Sequence, residues 1–348
     1  MNSGRLALIA GLLLFVLVVL GVVLLRNSGS LPDSFRRIFD RWAGSEENTE
    51  TAAAGHDTFS VHFIDVGQAD ATLILCEGES LLIDGGNQED APAVLSYLRQ
   101  QDVERLDSIL CTHAHEDHCG GLAQIIREAA SADTQVLAPQ ADSDTWFFHD
   151  FAKTAQAKGC AVRVPAYGES FEVGSARAQI VGPVRPAEEI LKDEYGLVNN
   201  TSLMVRVEYE GCTFLFCGDA QWQEEREVVE AAGQQAGAGA GQQVVSLEAD
   251  VLKPGHHGSA NATSYAFLMA VNPSCAVISC GSGNEYGHPH EDTLDKLAEA
   301  GVQLYRTDLQ GTIVCRLRDG KPDFAVEKDP GAAVYLAPPL PELIPEDQ

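Results

Sequence analysis

The sequence predicts an α/β fold in which helices cover layers of β-sheet. Short apolar runs that read as strands alternate along the chain with helix-like segments, and this alternation is typical of α/β proteins. The 348 residues are 45% hydrophobic, which is enough for one large domain or two modest ones. One apolar run, residues 106–111, ends in a cluster of histidine and aspartate. This cluster indicates the chemistry that we expect of the fold.

The amino-terminal segment predicts one transmembrane helix ahead of the α/β domain. Residues 6–25 are uncharged and lie between Arg5 and Arg26; as a helix they would span about 30 Å, the hydrocarbon thickness of a bilayer. A cleaved signal peptide, which would make the protein secreted, is the alternative. Its apolar region is usually shorter, about 7 to 15 residues, and a small-x-small cleavage site follows it. We therefore predict an uncleaved anchor within residues 1–27.

Three further segments complete the predicted domain organisation. Residues 28–57 are polar and interrupted by proline and glycine, which favours a juxtamembrane linker. From Phe59 the short β-rich runs FSVHFIDV, ATLILC and SLLIDGG begin, and strand and helix signals then alternate. We place the α/β domain at residues 58–328. The tail, residues 329–348, is rich in proline, and we expect it to be loosely packed.

Residues 106–122 read LDSILCTHAHEDHCGGL and predict a strand that ends in a metal site. Histidines two apart on an extended chain point the same way, and the turn after them returns Asp117 and His118 towards His113 and His115. Three imidazoles and a carboxylate are the ligands that borderline-soft divalent ions such as zinc prefer. The alternative is a solvated loop that happens to be rich in histidine, but it does not explain this density of ligands beside an apolar strand.

Two later strand ends offer further ligands. Asp219 ends the strand CTFLFCGDA, and a carboxylate there suits a ligand shared by two ions about 3.5 to 4 Å apart; an ordinary turn residue is the alternative. His256 and His257 follow the short strand DVLKP. Because successive side chains diverge on an extended chain, one of the two should bind metal and the other should support the ligands or act on the substrate.

These motifs together resemble the metallo-β-lactamase fold superfamily, whose signature is HxHxDH after a strand with a double glycine opening a helix. Within it, the chain is similar to the metallo-β-lactamase-like domain of ComEC-type DNA-internalisation competence proteins and their shorter stand-alone relatives. The resemblance covers residues 59 to about 320 through FIDVGQAD, LLIDGG, HAHEDHCGG, NNTSLMVR, FLFCGDA, LKPGHHGS and NEYGHPH. Because only one apolar span is present, we do not expect DNA transport by this chain alone.

The resemblance implies an αββα four-layer sandwich and a set of site residues. One or two Zn²⁺ ions would be held by six ligands: His113, His115, Asp117, His118, Asp219 and His257. The choice of His257 over its neighbour comes from the resemblance. Asp117 and His256 would be catalytic, and Asp84 would orient the metal ligands from behind. For Asp84 alone, a turn residue before glycine is the alternative. Candidates for contacting the substrate are Asn200, Ser259 and His288, although Ser259 could instead cap a helix near Ala262.

The chain departs from the superfamily pattern at one place. Many members with two metal ions supply a further histidine near residue 200, where this chain has Asn199 and Asn200. A neutral amide is a weak zinc ligand, so the site formed by His113 and His115 would be weakly occupied or would suit a harder ion such as Mn²⁺. The site formed by the other four ligands is complete.

The predicted function is hydrolysis by a metal-activated water, because a bound divalent ion lowers the pKa of water to near neutral. No GxSxG nucleophile elbow occurs. The resemblance favours a phosphodiesterase or nuclease that acts on nucleic acid or on a phosphorylated envelope component. The alternatives are an esterase, lactonase or phosphorylcholine-esterase-type hydrolase, and a degenerate, non-catalytic binding module on the same scaffold.

The net charge and the expected membrane topology limit the partners that we predict. The chain carries 51 acidic and 23 basic residues, a net charge of −28, which repels phosphate backbones unless a basic patch or a bound metal intervenes. We infer no protein partner. Arginines follow the apolar span as well as precede it, so the positive-inside rule leans towards a cytoplasmic α/β domain. A lone amino-terminal anchor before a soluble hydrolase most often serves export, so we expect anchoring to the cell membrane through residues 6–25 with the hydrolase domain outside the cytoplasm.

Overall fold

A computed structural model describes residues 58–140, 145–193, 197–235 and 244–329. Within these ranges the chain forms fifteen strands: β1 (Phe59–Phe63), β2 (Thr72–Cys76), β3 (Glu79–Ile83), β4 (Ser108–Leu110), β5 (Gln135–Leu137), β6 (Val162–Arg163), β7 (Ser170–Val173), β8 (Ala176–Gly182), β9 (Met204–Tyr209), β10 (Cys212–Phe216), β11 (Val251–Lys253), β12 (Cys275–Ile278), β13 (Gln303–Arg306), β14 (Ile313–Arg318) and β15 (Lys321–Val326).

The same ranges contain nine α-helices: α1 (Ala91–Gln100), α2 (Glu116–Cys119), α3 (Leu122–Ala129), α4 (Trp146–Lys158), α5 (Ala187–Ile190), α6 (Trp222–Gln235), α7 (Tyr265–Val271), α8 (Glu291–Glu299) and α9 (Thr307–Gln310). Three short 3₁₀ turns also occur there: Gln88–Asp90, Val198–Thr201 and His256–Gly258.

The strands form two mixed sheets with the orders β15-β14-β1-β2-β3-β4-β5-β6 and β13-β12-β11-β10-β9-β8-β7. Strands β3 to β6 are parallel in the first sheet, and β10 to β13 are parallel in the second. Parallel neighbours place their carboxyl ends on one edge of a sheet, where the loops that follow them meet. The motifs DGG, HAHEDH, CGD and PGHHGS all follow strands of these parallel blocks.

Three apolar clusters separate four layers. One cluster lies between the sheets and includes Phe214 and Phe216; burial of each such side chain contributes about 1.5 to 3 kcal/mol. Helices α1, α3 and α4 cover the first sheet through a second cluster, and α6, α7 and α8 cover the second sheet through a third. On β3, Leu82 faces the helices whereas Leu81 and Ile83 face the other sheet. The predicted α/β fold with two helix-covered sheets is therefore confirmed.

No helix in the part of the chain that the structure describes is long and apolar enough to cross a membrane. The predicted span at residues 6–25 lies outside the described residues, as do the predicted linker at 28–57 and residues 330–348 of the predicted tail. All nine cysteines are described; each is buried and unpaired, as expected of small core residues.

Candidate metal centre

The loop that carries the HxHxDH motif is held against the loop that follows β3. Gly85 N donates to His118 O, and Gly121 N donates to Gly86 O. A Cβ atom at Gly121 would lie only 2.1 Å from Gly85 O, so a larger residue there would force the two loops apart. The double glycine after the motif therefore allows the close approach that places His118 beside the carboxylate of Asp84.

Asp219 lies at the middle of the centre and presents one carboxylate oxygen to each side. Its Oδ1 lies 3.2 Å from His118 Nε2 and 3.7 Å from His257 Nε2. Its Oδ2 lies 3.7 Å from His113 Nε2 and 3.8 Å from His256 Nε2. The backbone N–H of Asp219 donates to Ser202 Oγ, which fixes the turn after β10. The geometry is that of a ligand shared between two groups.

The first group, which we call the four-donor group, consists of Asp117, His118, Asp219 and His257. One ligand atom from each lies within 4.8 Å of all the others. His257 Nε2 is 3.1 Å from Asp117 Oδ2, and His118 Nε2 is 3.9 Å from the same oxygen. Only Asp117 is partly open to solvent, with 30% of its side chain exposed, so this carboxylate marks the entrance to the group.

Hydrogen bonds behind the four-donor group fix the tautomers of both imidazoles. His118 Nδ1 donates to Asp84 Oδ2 at 2.8 Å, and His257 Nδ1 donates to Ser279 O at 3.0 Å. Asp84 also accepts from the N–H and the hydroxyl of Thr112. Because each Nδ1 proton is engaged behind the group, each Nε2 faces into the group and would offer its lone pair to an ion that replaces the Nε2 proton, as a metal-binding histidine requires.

Two buried atoms of the four-donor group show that it suits a cation. His118 Nε2 and Asp219 Oδ1 face each other at 3.2 Å, yet neither has a hydrogen-bond partner. When the His118 ring is neutral both atoms are acceptors, and an ion between them would satisfy both. Burial alone would lower the pKa of His118, but the surrounding carboxylates, Asp219 first, raise it well above its ordinary value. They likewise raise the pKa of His257 to about 10. A pocket that attracts protons so strongly, with imidazole and carboxylate donors, fits a divalent metal ion.

The second group, which we call the three-donor group, consists of His113, His115 and Asp219. His113 Nε2 lies 3.1 Å from His115 Nδ1, and His113 Nδ1 lies 3.1 Å from Thr112 Oγ1. Burial, and then the charge of His118, hold the pKa of His113 well below its ordinary value. Within the described residues, no carboxylate accepts a hydrogen bond from behind these two rings, as Asp84 does from His118. This group therefore has fewer donors and a weaker frame than the first.

A third cluster of titratable groups near the centre already contains a cation. Asp70, Asp84 and His118 are close enough to suggest a metal site, but the ammonium group of Lys253 is paired with Asp70. Both side chains are almost completely buried. Burial would raise the pKa of Asp70, but Lys253 holds it below its ordinary value. Asp70 Oδ1 also lies 3.5 Å from His257 Nδ1, so the ion pair sits directly behind a candidate ligand.

His256 and His257 reach opposite oxygens of Asp219 because the chain is not extended there. Both have left-handed backbone conformations, with φ of 52° and 54°, within the turn after β11. Such conformations are uncommon outside glycine and concentrate at functional sites. His256 Nδ1 donates to Asn261 Oδ1, and its Nε2 accepts from Asn199 Nδ2 at 3.3 Å. The assumption of an extended chain was therefore wrong, but the two rings still reach different places: His257 belongs to the four-donor group and His256 does not.

The cleft that opens onto these groups has a volume of about 390 Å³. Its lining comprises Gln68, Asn87, His115, Glu116, Asp117, Asn199, Asp219, His256, His257, Tyr286 and His288. Of the three predicted substrate-contacting residues, only His288 is in this lining. Asn200 instead accepts a hydrogen bond from Gln221 N, and its neighbour Asn199 faces the cleft.

Ser259 is also absent from the lining, so the cleft does not support a substrate contact there. The alternative for this residue, a helix cap, is wrong: α7 begins at Tyr265, and its cap is Ser264, whose hydroxyl accepts from Phe267 N. The pairing of Lys253 with Asp70 and the position of Tyr286 were not anticipated from the sequence. Lys253 lies in the motif LKPGHHGS and Tyr286 lies in NEYGHPH, but neither motif reveals what its residue contacts.

The geometry above agrees with the family comparison. The profile of the Metallo-beta-lactamase superfamily matches residues 64–282. This match spans more than half of the chain, and the protein belongs to this superfamily.

Within the superfamily, the resemblance to ComEC-type competence proteins is confirmed. ComE operon protein 3 of Bacillus subtilis (strain 168) is 26% identical over 284 residues, which are 76% of this chain and 34% of the relative. Competence protein ComA of Neisseria gonorrhoeae is 30% identical over 250 residues, which are 72% of this chain and 31% of the relative. The chain thus spans about a third of the length of these curated relatives. Among solved structures, the metallo-beta-lactamase fold protein YhfI from Bacillus subtilis is 10% identical with a TM-score of 0.46, over 71% of this chain and 96% of that one.

Proposed function

We propose that this protein is a metal-dependent phosphodiesterase whose active site is the cleft above Asp219. The observation that carries the proposal is the four-donor group, in which imidazole nitrogens and carboxylate oxygens converge and His118 Nε2 and Asp219 Oδ1 are buried without a hydrogen-bond partner. The four-donor group would hold one divalent ion, Zn²⁺ or Mn²⁺, and the three-donor group would hold a second one less tightly. A bound ion would supply activated water and neutralise charge on the scissile group.

The remaining residues would position the substrate and move protons. His256 has its Nδ1 proton engaged by Asn261, so its Nε2 would accept or return a proton. Gln68 donates through Nε2 to His288 Nδ1 while its Oε1 accepts from Gly281 N. His288 therefore carries its proton on Nε2, which would donate to a substrate oxygen. Burial, with its histidine neighbours, lowers the pKa of His288 to about 4, so it would act as a neutral donor at pH 7.

A phosphodiester is favoured over other esters by the relatives rather than by the metal groups. The similarity to competence proteins supports a nucleic-acid or nucleotide substrate. The metal groups are equally compatible with a carboxylic ester, so a substrate panel must compare the two classes directly. A chain that binds metal but turns over no member of the panel would instead favour a non-catalytic binding module.

Attachment to the cell membrane through residues 6–25, with the hydrolase domain outside the cytoplasm, is part of the proposal. The uncharged run supports it. We expect the full-length protein to sediment with membranes and a variant lacking residues 1–27 to be released. Protease added to intact cells should degrade the domain. Protection from the protease, with sedimentation retained, would reverse the proposed orientation.

The activity is tested with the full-length protein, loaded with Zn²⁺ or Mn²⁺, on bis-p-nitrophenyl phosphate and a p-nitrophenyl carboxylic ester. We expect hydrolysis of the phosphodiester that EDTA abolishes and added metal restores. The double variant Asp117→Ala/His118→Ala should lose activity by about 10³-fold or more, equivalent to about 4 kcal/mol of lost stabilisation. Activity that survives this change would contradict the mechanism.

A matched control removes a second aspartate–histidine pair. His149 and Asp150 lie on α4, where Asp150 forms an exposed ion pair with Arg127, and neither lines the cleft. His149→Ala/Asp150→Ala should retain the activity and the metal content of the unmodified protein. Equal losses in the two double variants would indicate general damage to the fold.

A further inference from the structure

Three nearly parallel rings form a wall along one side of the cleft. Tyr286 stacks on His288 with 5.6 Å between ring centroids and 21° between ring planes. His288 in turn lies 6.1 Å from His257 at an angle of 23°. Tyr286 is the outermost ring, with 69% of the residue exposed to solvent. The wall therefore leads from solvent to a ligand of the four-donor group.

The loop that carries the wall is held in one conformation by its own hydrogen bonds. Asn284 Oδ1 accepts from the N–H groups of Tyr286 and His288, and Asn284 Nδ2 donates to His288 O. His290 Nε2 donates to Tyr286 O, and His290 Nδ1 accepts from Ala260 N. An exposed aromatic ring on such a fixed loop can bind a flat partner with little loss of conformational entropy.

The cleft lacks the groups that bind a polyanion. None of its lining residues, all of which lie in described ranges, is lysine or arginine. Lys253 lies behind the lining residue His257, but it is buried in its pair with Asp70. The chain as a whole carries a net charge of −28. Phosphates on either side of the reacting one would therefore find no lysine or arginine side chain in the cleft.

We propose that Tyr286 is the stacking platform for one nucleobase, and that the site takes a short phosphodiester, such as a dinucleotide or a strand end, rather than the interior of a long nucleic acid. This inference rests on the proposed phosphodiesterase function and specifies its substrate class. The base would stack on the outer face of Tyr286, and the adjoining phosphate would lie at the metal groups. The cleft volume of about 390 Å³, near the low end of small-ligand pockets, suits one such unit.

A quaternary ammonium group is the main alternative occupant of an aromatic surface in an acidic cleft. Recognition of such a cation favours rings that surround it. The rings of Tyr286, His288 and His257 are close to parallel instead, and a parallel wall offers a face to a flat ring. The observations therefore favour a nucleobase, and a choline ester becomes one arm of the test.

The test compares two p-nitrophenyl phosphodiesters that differ in the base. One is the p-nitrophenyl ester of thymidine 5′-monophosphate, and the other is methyl p-nitrophenyl phosphate. Full-length protein should prefer the thymidine ester in kcat/KM. Tyr286→Ala should reduce this preference about tenfold, within the usual contribution of a stacked base. Tyr286→Phe, which keeps the ring, should restore most of it.

Tyr265→Ala is the matched control, because Tyr265 is also an exposed tyrosine, 55% accessible, but lies on α7 outside the cleft lining. It should keep the preference unchanged. An unchanged preference in Tyr286→Ala, or an equal fall in Tyr265→Ala, would overturn the assignment of Tyr286. A higher kcat/KM for p-nitrophenyl phosphorylcholine than for the thymidine ester would replace the nucleobase by a cationic group.

Strand length and salt test the preference for a short substrate. We expect similar kcat/KM for thymidine oligonucleotides of two and twenty residues, counted per strand end. We also expect log kcat/KM to change little with log salt concentration. A single-stranded polyanion that contacts cationic side chains would give a slope of roughly −0.7 per phosphate contacted. A slope steeper than about −1.4, two such contacts, or a large gain with length would overturn this part of the inference.

Binding of thymidine itself separates failure of the inference from failure of the proposed function. Saturation-transfer NMR should show magnetisation passing from the full-length protein to the thymine ring, and Tyr286→Ala should remove it. Transfer of magnetisation to thymine without hydrolysis of any ester would contradict the proposed phosphodiesterase function but support the stacking site. Hydrolysis of methyl p-nitrophenyl phosphate without transfer to thymine would do the reverse.

Discussion

The two donor groups share Asp219 but differ in how their other ligands are held. In the four-donor group, His118 is oriented by Asp84, and His257 has both a backbone carbonyl and the Asp70–Lys253 pair behind it. In the three-donor group, His113 contacts His115 and a threonine hydroxyl. Hydrogen bonds to a carboxylate or a carbonyl behind a histidine ligand, as in the four-donor group, fix the orientation of the ring and raise its basicity. The four-donor group should therefore hold its ion more tightly, and each prediction below tests that difference.

The largest expected effect is on stability, from Lys253→Met. Removing the ammonium group leaves the buried carboxylate of Asp70 without a counter-charge, which costs about 3 to 5 kcal/mol. Urea unfolding in EDTA, so that no metal compensates, measures the loss. The double variant Asp70→Asn/Lys253→Met, which leaves no unpaired charge, should recover part of it. A loss below about 1 kcal/mol in the single variant, the level of a surface ion pair, would show that the pair does not support the four-donor group.

A direct comparison of the two groups uses the same substitution in each. His118→Ala and His113→Ala both remove a completely buried imidazole. One ligand of a four-ligand zinc site is worth about 2.5 to 4 kcal/mol, or roughly 10² to 10³-fold in affinity. His118→Ala should weaken the tighter Zn²⁺ site by that factor, measured by competition with a chromophoric chelator. His113→Ala should change it by less than about tenfold. Equal losses would break the comparison.

The role of Asp84 is tested by Asp84→Asn. The carboxylate accepts from Thr112 N, Thr112 Oγ1 and His118 Nδ1, and an amide cannot accept all three bonds because one of its ends is a donor. Metal affinity at the four-donor group should fall about 10 to 100-fold. Asp107→Asn is the control, since Asp107 accepts from the N–H and hydroxyl of Ser80 and belongs to neither donor group. If both variants bind metal alike, Asp84 does not act through His118.

The sequence predicts this centre where local pattern determines geometry. Strand runs that end in DGG, HAHEDH and CGD belong to the parallel blocks of the two mixed sheets, so their polar ends meet at one edge. Contacts between distant segments could not be read in the same way. Lys253 and Asp70 are 183 residues apart, and nothing in either motif indicates their pairing. Which of Asn199 and Asn200 faces the cleft depends on the 3₁₀ turn Val198–Thr201. The sequence does not specify how this turn orients its side chains.

The smallest expected effect is a gain at the weaker group, from Asn199→His. Asn199 lines the cleft, contacts His256 on the Oδ2 side of Asp219, and has a buried Oδ1 without a hydrogen-bond partner. An imidazole is a better zinc ligand than an amide, so the variant should bind a second Zn²⁺ more tightly and release it later on dialysis against a chelator. Elemental analysis after graded dialysis measures the change. Asn200→His makes the same substitution one residue along, on a side chain that bonds Gln221 N outside the cleft, and should leave the second site as it is. If both variants retain a second ion equally, the residue at position 199 does not limit the metal affinity of the three-donor group. The difference in affinity between the two groups would then come from the contacts behind His118 and His257 alone.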